Sequence, residues 1–321
     1  MTVETHMWQH LLEDASQLLN LEINAFCEHI NNRETTRYFH ANVHLVGDNS
    51  ITWRLKVVNP WRPDKDNIQD CNSYNNCVHA RLDKSQHLKS IVGIPTYYDV
   101  PSKQLDSLNC SELVIGETPS DDDVALIVDT LIKLRINRRN ILNDFSQFAN
   151  LMPRPINSYN RSIYRDRRLN VSIKSLVGKG LLSTDDANNV MMSFDRNFSS
   201  PLPENELTFV HGDFSYGNLK IRDGKLTFID FEHSHIGIGE LDIAHLFVNL
   251  VGNGKDDIAS MLLEAYEESC THHGIVFHSA EFKALVLERV AGKMNSMKKA
   301  NGEVWERLQL LLKGKHNPTP R

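Results

Sequence analysis

Two periods of apolar residues divide the chain. Near the N-terminus Met7, Trp8, Leu11, Leu12, Ala15, Leu18 and Leu19 recur at helical spacing and predict an amphipathic helix. The period then shortens. Residues 23–30 read as a strand, 31–36 (Asn31-Asn32-Arg33-Glu34-Thr35-Thr36) as a polar break and 37–46 as a second strand; 47–50 (Gly-Asp-Asn-Ser) form a turn and 51–58 the strand returning from it. Residues 59–76, polar and carrying Pro60 and Pro63, read as a loop, and 77–90 as a helix that ends near Gly93-Ile94-Pro95. Residues 96–100 and 111–115 read as further strands, so 1–115 predict a small α+β unit.

Past Gly116-Glu117-Thr118-Pro119 the pattern turns helical. Ser120 with Asp123 three residues on has the form of a capping box, with Asp in place of the usual Glu or Gln. Val124, Ile127, Val128, Leu131, Leu134 and Ile136 follow on one helix face, and Ser183-Thr184 before Asp185 starts another helix. Residues 256–272, 280–299 and 303–312 predict three closing helices, and the Pro-bearing tail 316–321 reads as disordered.

One stretch interrupts the helices. In residues 209–247 an apolar approach ends at His211-Gly212-Asp213, and Asn218 comes five residues after the Asp. A strand at 219–221, an Arg222-Asp223-Gly224 turn and a strand at 226–231 then deliver Asp230. Asp213, Asn218 and Asp230 can thus converge on one point. Phosphoryl transfer with a divalent metal needs that set: a carboxylate to receive the acceptor's hydroxyl proton, and an amide oxygen plus a second carboxylate to hold Mg²⁺. An acid closing the apolar run Leu226, Phe228, Ile229 is costly to bury unpaired, and a metal partner offsets that cost.

The order of parts is a β-rich N-terminal lobe with Lys56 in a strand, a linker, and a helical lobe carrying Asp-x₄-Asn and a later Asp-Phe. Over nearly the whole chain it resembles the aminoglycoside phosphotransferase/choline kinase superfamily. His211-Gly212-Asp213…Asn218 resembles its catalytic loop, Ile229-Asp230-Phe231-Glu232 its metal-binding segment, and Leu241-Asp242-Ile243-Ala244 its downstream helix start. The resemblance implies a bilobal protein-kinase-like α+β fold with a nucleotide-binding lobe at 1–115, a hinge at 116–119 and a larger, mainly helical catalytic and substrate lobe at 120–321. It implies ATP (GTP is possible) and Mg²⁺ as cofactors, with Asp213 as catalytic base and Asn218 and Asp230 on the metal. Lys56 would meet the α- and β-phosphates, Thr35 and Thr36 would lie in the phosphate loop, and backbone around Val114–Glu117 would meet adenine. The acceptor would be a hydroxyl of an aminoglycoside, amino alcohol, homoserine or sugar-like molecule.

Two features depart from the family's pattern. No Glu occurs between Glu34 and Glu112 to orient Lys56, which leaves Asp83 or Asp70 as the partner, and the 31–36 segment is not Gly-rich. A nucleotide-binding pseudokinase or interaction module is the competing reading. Gly212, Glu232 and the lack of a following Ala-Pro-Glu distance the chain from ordinary protein kinases, and with them from control by a phosphorylated activation loop.

Composition narrows the picture a little. The 321 residues carry a formal net charge of −6, which argues against nucleic acid as a partner. An odd count of five cysteines, with neither a secretory segment nor an 18-residue apolar run, predicts a cytoplasmic protein off the membrane. Cys71, Cys77 and His79, and separately Cys270, His272 and His273, lack zinc-type spacing and read as incidental. His211 and Asp242 read as scaffold. Glu232, His233, His235 and Glu240 face either the acceptor or, on the plainer reading, solvent. The basic cluster Arg161, Arg165, Arg167 and Arg168, interleaved with Tyr159 and Tyr164, reads as a solvated helix face in preference to an anion or nucleic-acid site.

Overall fold

The computed structural model describes residues 7–26, 37–98, 100–104, 106–147, 156–198, 204–297 and 302–314. The expected phosphate-loop residues Thr35 and Thr36, with Cys27, the end of the 23–30 strand and the 316–321 tail, lie outside them. The chain forms two compact units. One comprises Met1–Glu117, Asp144–Pro155 and Thr227–Glu232; the other comprises Thr118–Asn143, Ile156–Leu226 and His233–Arg321.

In the first unit α1 (Met7–Leu18) packs on a four-stranded antiparallel sheet ordered β1 (Leu21–Phe26), β2 (Tyr38–Leu45), β3 (Asp48–Val58) and β4 (Leu108–Glu112). Alternation assigns the faces: Phe39, Ala41 and Val43 of β2 and Trp53, Leu55 and Val57 of β3 bury against Leu12 and Ala15 of α1. Arg54 and Lys56 therefore take the other face. Leu45 pairs with Asp48 across Val46-Gly47, with Gly47 at φ +81°, so the turn falls earlier than the 47–50 reading.

α2 runs Lys65–Lys84, so most of the expected 59–76 loop is helix. Its Asn-rich first half is a poor helix former, but Asn72 and Asn76 are spent on the sheet: Asn72 Nδ2 donates to Leu108 O at 3.0 Å and Asn76 Nδ2 to the same oxygen at 2.6 Å. Ser85 ends α2 and caps α3 (Gln86–Ile91) by accepting from Leu88 N, which splits the single helix expected over 77–90. Residues 96–100, expected as a strand, contribute only the isolated bridge Tyr97–Ser111.

The second unit is mainly helical. The Ser120–Asp123 capping box forms, with Ser120 N donating to Asp123 Oδ2 at 2.7 Å, and leads through a 3₁₀ turn into α4 (Val124–Ile136). α5 (Arg138–Gln147) straddles the unit boundary. A π-helical turn, Ile163–Leu169, runs into α6 (Asn170–Gly178), and α7 (Thr184–Asn197) is capped by Ser183. Short β5 (Thr208–Val210) pairs with β8 (His235–Gly237), and β6 (Leu219–Arg222) with β7 (Lys225–Phe228). Asp223 and Gly224 close that hairpin at φ +52° and +69°, the two left-handed positions a type I′ turn requires. α8 (Glu240–Gly252), α9 (Asp256–His272), α10 (Ser279–Ser296) and α11 (Glu303–Leu312) complete the unit, with α10 packed among α6, α7, α8, α11 and the π-helical turn. The architecture is bilobal and protein-kinase-like: a β-sheet N-terminal lobe and a helix-rich C-terminal lobe.

Candidate active site

The loop after β5 is held from below by α8. Asp242, in the first turn of α8, accepts from His211 N through Oδ2 and from Gly212 N through Oδ1, each at 2.9 Å. Gly212 turns at φ +78°, and a Cβ there would lie 2.1 Å from His233 O. Asp213 N donates to His211 Nδ1 at 3.3 Å, and Ser234 Oγ to His211 O at 3.0 Å. Burial pushes the Asp242 carboxyl up to about 7, against the pull of the two backbone donors.

These bonds present Asp213. Its Oδ2 accepts from Asn218 Nδ2 at 2.7 Å, and its Oδ1 lies 3.5 Å from His245 Nε2. Asn218 Nδ2 also donates to Asp213 O at 2.9 Å. With both amide protons spent on Asp213, the Asn218 carbonyl oxygen is the group left for a hard cation. Burial, followed by Arg289 and other nearby cations, holds His245 well below the ordinary imidazole range, so it is neutral at physiological pH. Asp213 and Asn218 are therefore brought together as the sequence predicts. His245 was missed; its place three residues after Asp242, in the second turn of α8, was the available signal.

A cavity of about 460 Å³ opens from Asp213 between α8 and α10. Arg168, His245, Asn249, Arg289 and Lys293 line it. Arg168 corrects the solvated-face reading of the basic cluster: only Arg167 and neighbouring positions stay exposed, while Arg168 is drawn inward by Glu288, at 2.9 Å. Arg161 and Arg165 instead share Asp195. Glu232, His235 and Glu240 also leave the solvent that sequence assigned them. Glu240 is 1% exposed and pairs with Arg135 at 2.8 Å. His235 Nε2 meets Tyr164 Oη at 2.8 Å and its ring stacks on Tyr159. His233 alone of the four is exposed, at the cavity rim.

The remaining sequence candidates lie in the first unit. Asp230 adopts φ +66°, a left-handed conformation that costs a non-glycine residue about 1 kcal/mol and that clusters at functional sites. Phe231 N donates to Asn75 Oδ1 at 3.1 Å, and Glu232 takes Tyr38 Oη at 3.4 Å and Arg37 Nη1 at 3.3 Å. Lys56 Nζ sits 5.7 Å from the Tyr38 ring centroid. Among the described residues no carboxylate comes within ion-pair range of it, and Asp83 is committed to Lys89 at 3.0 Å. Val114 and Glu117 follow β4 in irregular chain. His79, buried and held down to about 4 by that burial, spends Nε2 on Pro95 O at 2.7 Å; no metal-ligating cluster of His, Cys, Asp or Glu occurs among the described residues. No helix among them is long and apolar enough to cross a membrane.

Residues 165–281 match the model of the phosphotransferase enzyme family. The matched segment is 117 of the 321 residues. It holds the loop after β5, the β6–β7 hairpin and α8. Solved structures share the fold. A putative fructosamine-3-kinase from Thermobifida fusca aligns with TM-score 0.61 and 16% identity, over 94% of this chain and 96% of its own. A macrolide 2′-phosphotransferase from Brachybacterium faecium aligns with TM-score 0.54 and 12% identity, over 94% and 97%. A choline kinase from Cryptosporidium parvum aligns with TM-score 0.55 and 11% identity, over 96% and 94%. No curated protein matches the chain significantly. At these identities the structural likeness speaks to the fold alone.

Proposed function

We propose that this chain is a small-molecule kinase that moves the γ-phosphoryl group of ATP or GTP to a hydroxyl seated against Asp213. The observation that carries the reading is the Asp213 carboxylate, held by Asn218 at 2.7 Å and lying 3.5 Å from His245, on the wall of a cavity between α8 and α10. In a loose phosphoryl-transfer transition state little deprotonation precedes bond breaking. Asp213 therefore acts first by aligning the acceptor oxygen and then by taking its proton on Oδ1 or Oδ2. Asn218 keeps the carboxylate in one orientation, and His245, uncharged, adds a donor without competing for the proton.

Mg²⁺ with the triphosphate supplies charge neutralisation at the transferred group. The donor set fits it: the amide oxygen of Asn218 and the carboxylate of Asp230 are hard oxygen ligands. Lys56 serves the α- and β-phosphates, backbone around Val114 and Glu117 the adenine, and Thr35 and Thr36 the phosphate loop. Nucleotide binding falls to the lobe at 1–115 and catalysis to the lobe at 120–321, joined by the 116–119 hinge. Reduced thiols and ATP both suit a cytoplasmic setting.

One observation favours a second reading, a pseudokinase that binds nucleotide without turnover: Lys56 lacks a carboxylate partner among the described residues. Mg²⁺-dependent ADP release across a panel of hydroxylated metabolites separates the two. Acceptor-dependent ADP release that Asp213→Ala abolishes supports the kinase. Nucleotide binding with no acceptor-dependent release, unchanged in Asp213→Ala, supports the pseudokinase and sinks the first reading.

A further inference from the structure

Three cations line the cavity beside Asp213, one of which, Arg289, also donates Nη1 to Gly212 O at 3.3 Å. Arg168 reaches the cavity from the π-helical turn, and Arg289 and Lys293 lie four residues apart on α10, about 6 Å along the helix. The side chains of Arg168 and Arg289 are only 20% and 10% exposed. One carboxylate serves both: Glu288, 2% exposed, holds Arg168 Nε at 2.9 Å and also pairs with Arg289. Lys293 Nζ donates to Asn249 Oδ1 and meets no carboxylate among the described residues. Burial accordingly lowers the Lys293 ammonium. Two further polar atoms at the cavity are buried without a partner among the described residues, Asn249 Nδ2 and His245 Nδ1.

The lining is as telling for what it omits. Asp213 is its one carboxylate, and no Phe, Tyr or Trp borders it, among the described residues. A polyamine acceptor would need several carboxylates, and a quaternary amine an aromatic cage. Three half-buried cations set against Asp213 and Glu288, with a free amide N–H alongside, need an anion to complete them.

We infer that the acceptor carries an anionic oxygen group, a carboxylate or phosphate ester, which Arg289, Lys293 and Asn249 bind while its hydroxyl lies against Asp213. The inference rests on the kinase reading of Asp213 and adds the substrate class. A volume near 460 Å³ limits the acceptor to a compact metabolite.

The test uses matched acceptors with the full chain, Mg²⁺ and ATP: glycerate against glycerol, gluconate against glucose, glucose 6-phosphate against glucose, and glucosamine and choline as cationic members. The anionic member is expected to show a kcat/KM at least about tenfold above its neutral counterpart, the usual gain from a charge-assisted bond. Gluconate and glucose 6-phosphate distinguish carboxylate from phosphate. Lys293→Gln should remove most of that preference through KM, and Lys293→Arg should restore it. Preference for the neutral or cationic member overturns the inference and leaves the kinase intact. If no acceptor is phosphorylated, calorimetric binding of the same probes decides. Binding of an anion that Lys293→Gln weakens upholds the anion site while the kinase reading fails, and binding of none overturns the site as well.

Discussion

Gly212→Ala is the sharpest probe of how the Asp213 loop is held. Two costs can be read at this position. At φ +78° an L-residue is strained by roughly 1–2 kcal/mol. The new Cβ would also fall 2.1 Å from His233 O and 2.9 Å from His233 C, both backbone atoms that no rotamer can move aside. Relief by shifting the loop is opposed on two sides, because Gly212 N is bonded to Asp242 Oδ1 at 2.9 Å and Gly212 O to Arg289 Nη1 at 3.3 Å. Overpacking of that kind costs about 1–3 kcal/mol, so the total is about 2–5 kcal/mol. Gly274→Ala is the control. It sits in the same unit at φ +63° with nothing within 4 Å of a built Cβ, so it carries the strain alone. Urea unfolding of both variants, followed by far-ultraviolet circular dichroism, should separate them by at least about 1 kcal/mol. Turnover of the folded Gly212→Ala protein should fall about a hundredfold, because a displacement near 1 Å misaligns Asp213. Equal destabilisation of the two variants, or full turnover in Gly212→Ala, refutes the claim that His233 and Asp242 jointly fix this loop.

Three other outcomes follow from the same coordinates. Asp213→Asn should lower kcat by about 10²–10⁴ while nucleotide affinity, measured by calorimetry, stays within about threefold; unchanged kcat contradicts its role. Arg135→Met should destabilise the protein by about 3–5 kcal/mol, since it leaves Glu240, 1% exposed, without its ion partner. The double variant with Glu240→Leu should recover part of that in urea unfolding, and no recovery would show that the pair's packing matters more than its charge. The Asp242 carboxyl, held near 7 when folded, keeps a proton between about pH 4 and pH 7 that the unfolded chain has already released. Stability should therefore fall as pH rises through that window and level off above it, and Asp242→Asn should flatten the profile of melting temperature against pH.

Much of the fold is legible in the sequence where local signals agree. The expected closing helices at 256–272 and 303–312 have the observed bounds, and Asp223-Gly224 and Ser120–Asp123 form the turn and cap their chemistry specifies. Legibility fails where tertiary bonds outweigh propensity. Asn72, Asn75 and Asn76 mark a loop on any local scale. In the structure their amides are donors and acceptors to Leu108, Asn109 and Phe231, which stabilises a buried helix that local propensity disfavours. The β7 strand is likewise cut short at Phe228 because Asp230 turns into the left-handed region, a backbone choice that an alternating Leu-Thr-Phe-Ile-Asp pattern does not encode.

The candidate site divides along the same line. Asp213 and Asn218 are five residues apart, so a short loop can join them and a motif can show them. The cavity's cations come from segments more than a hundred residues apart, and each looks ordinary at home. Glu288 and Arg289 on α10 belong to no motif, and Arg161, Arg165, Arg167 and Arg168 read as a solvated helix face. The π-helical turn changes that register: Arg161 and Arg165 go to Asp195, and Arg168 goes to Glu288. Burial works to raise the Glu288 carboxyl, yet Arg289 and Arg168 hold it below the ordinary range, so it stays charged. One buried carboxylate then stands between two arginines that line the cavity. Such a set is stable only as a near-neutral cluster, and with Lys293 added on the next turn the missing charge is negative. The charge of the cavity is therefore set by a cluster that lies outside the Asp213–Asn218 loop.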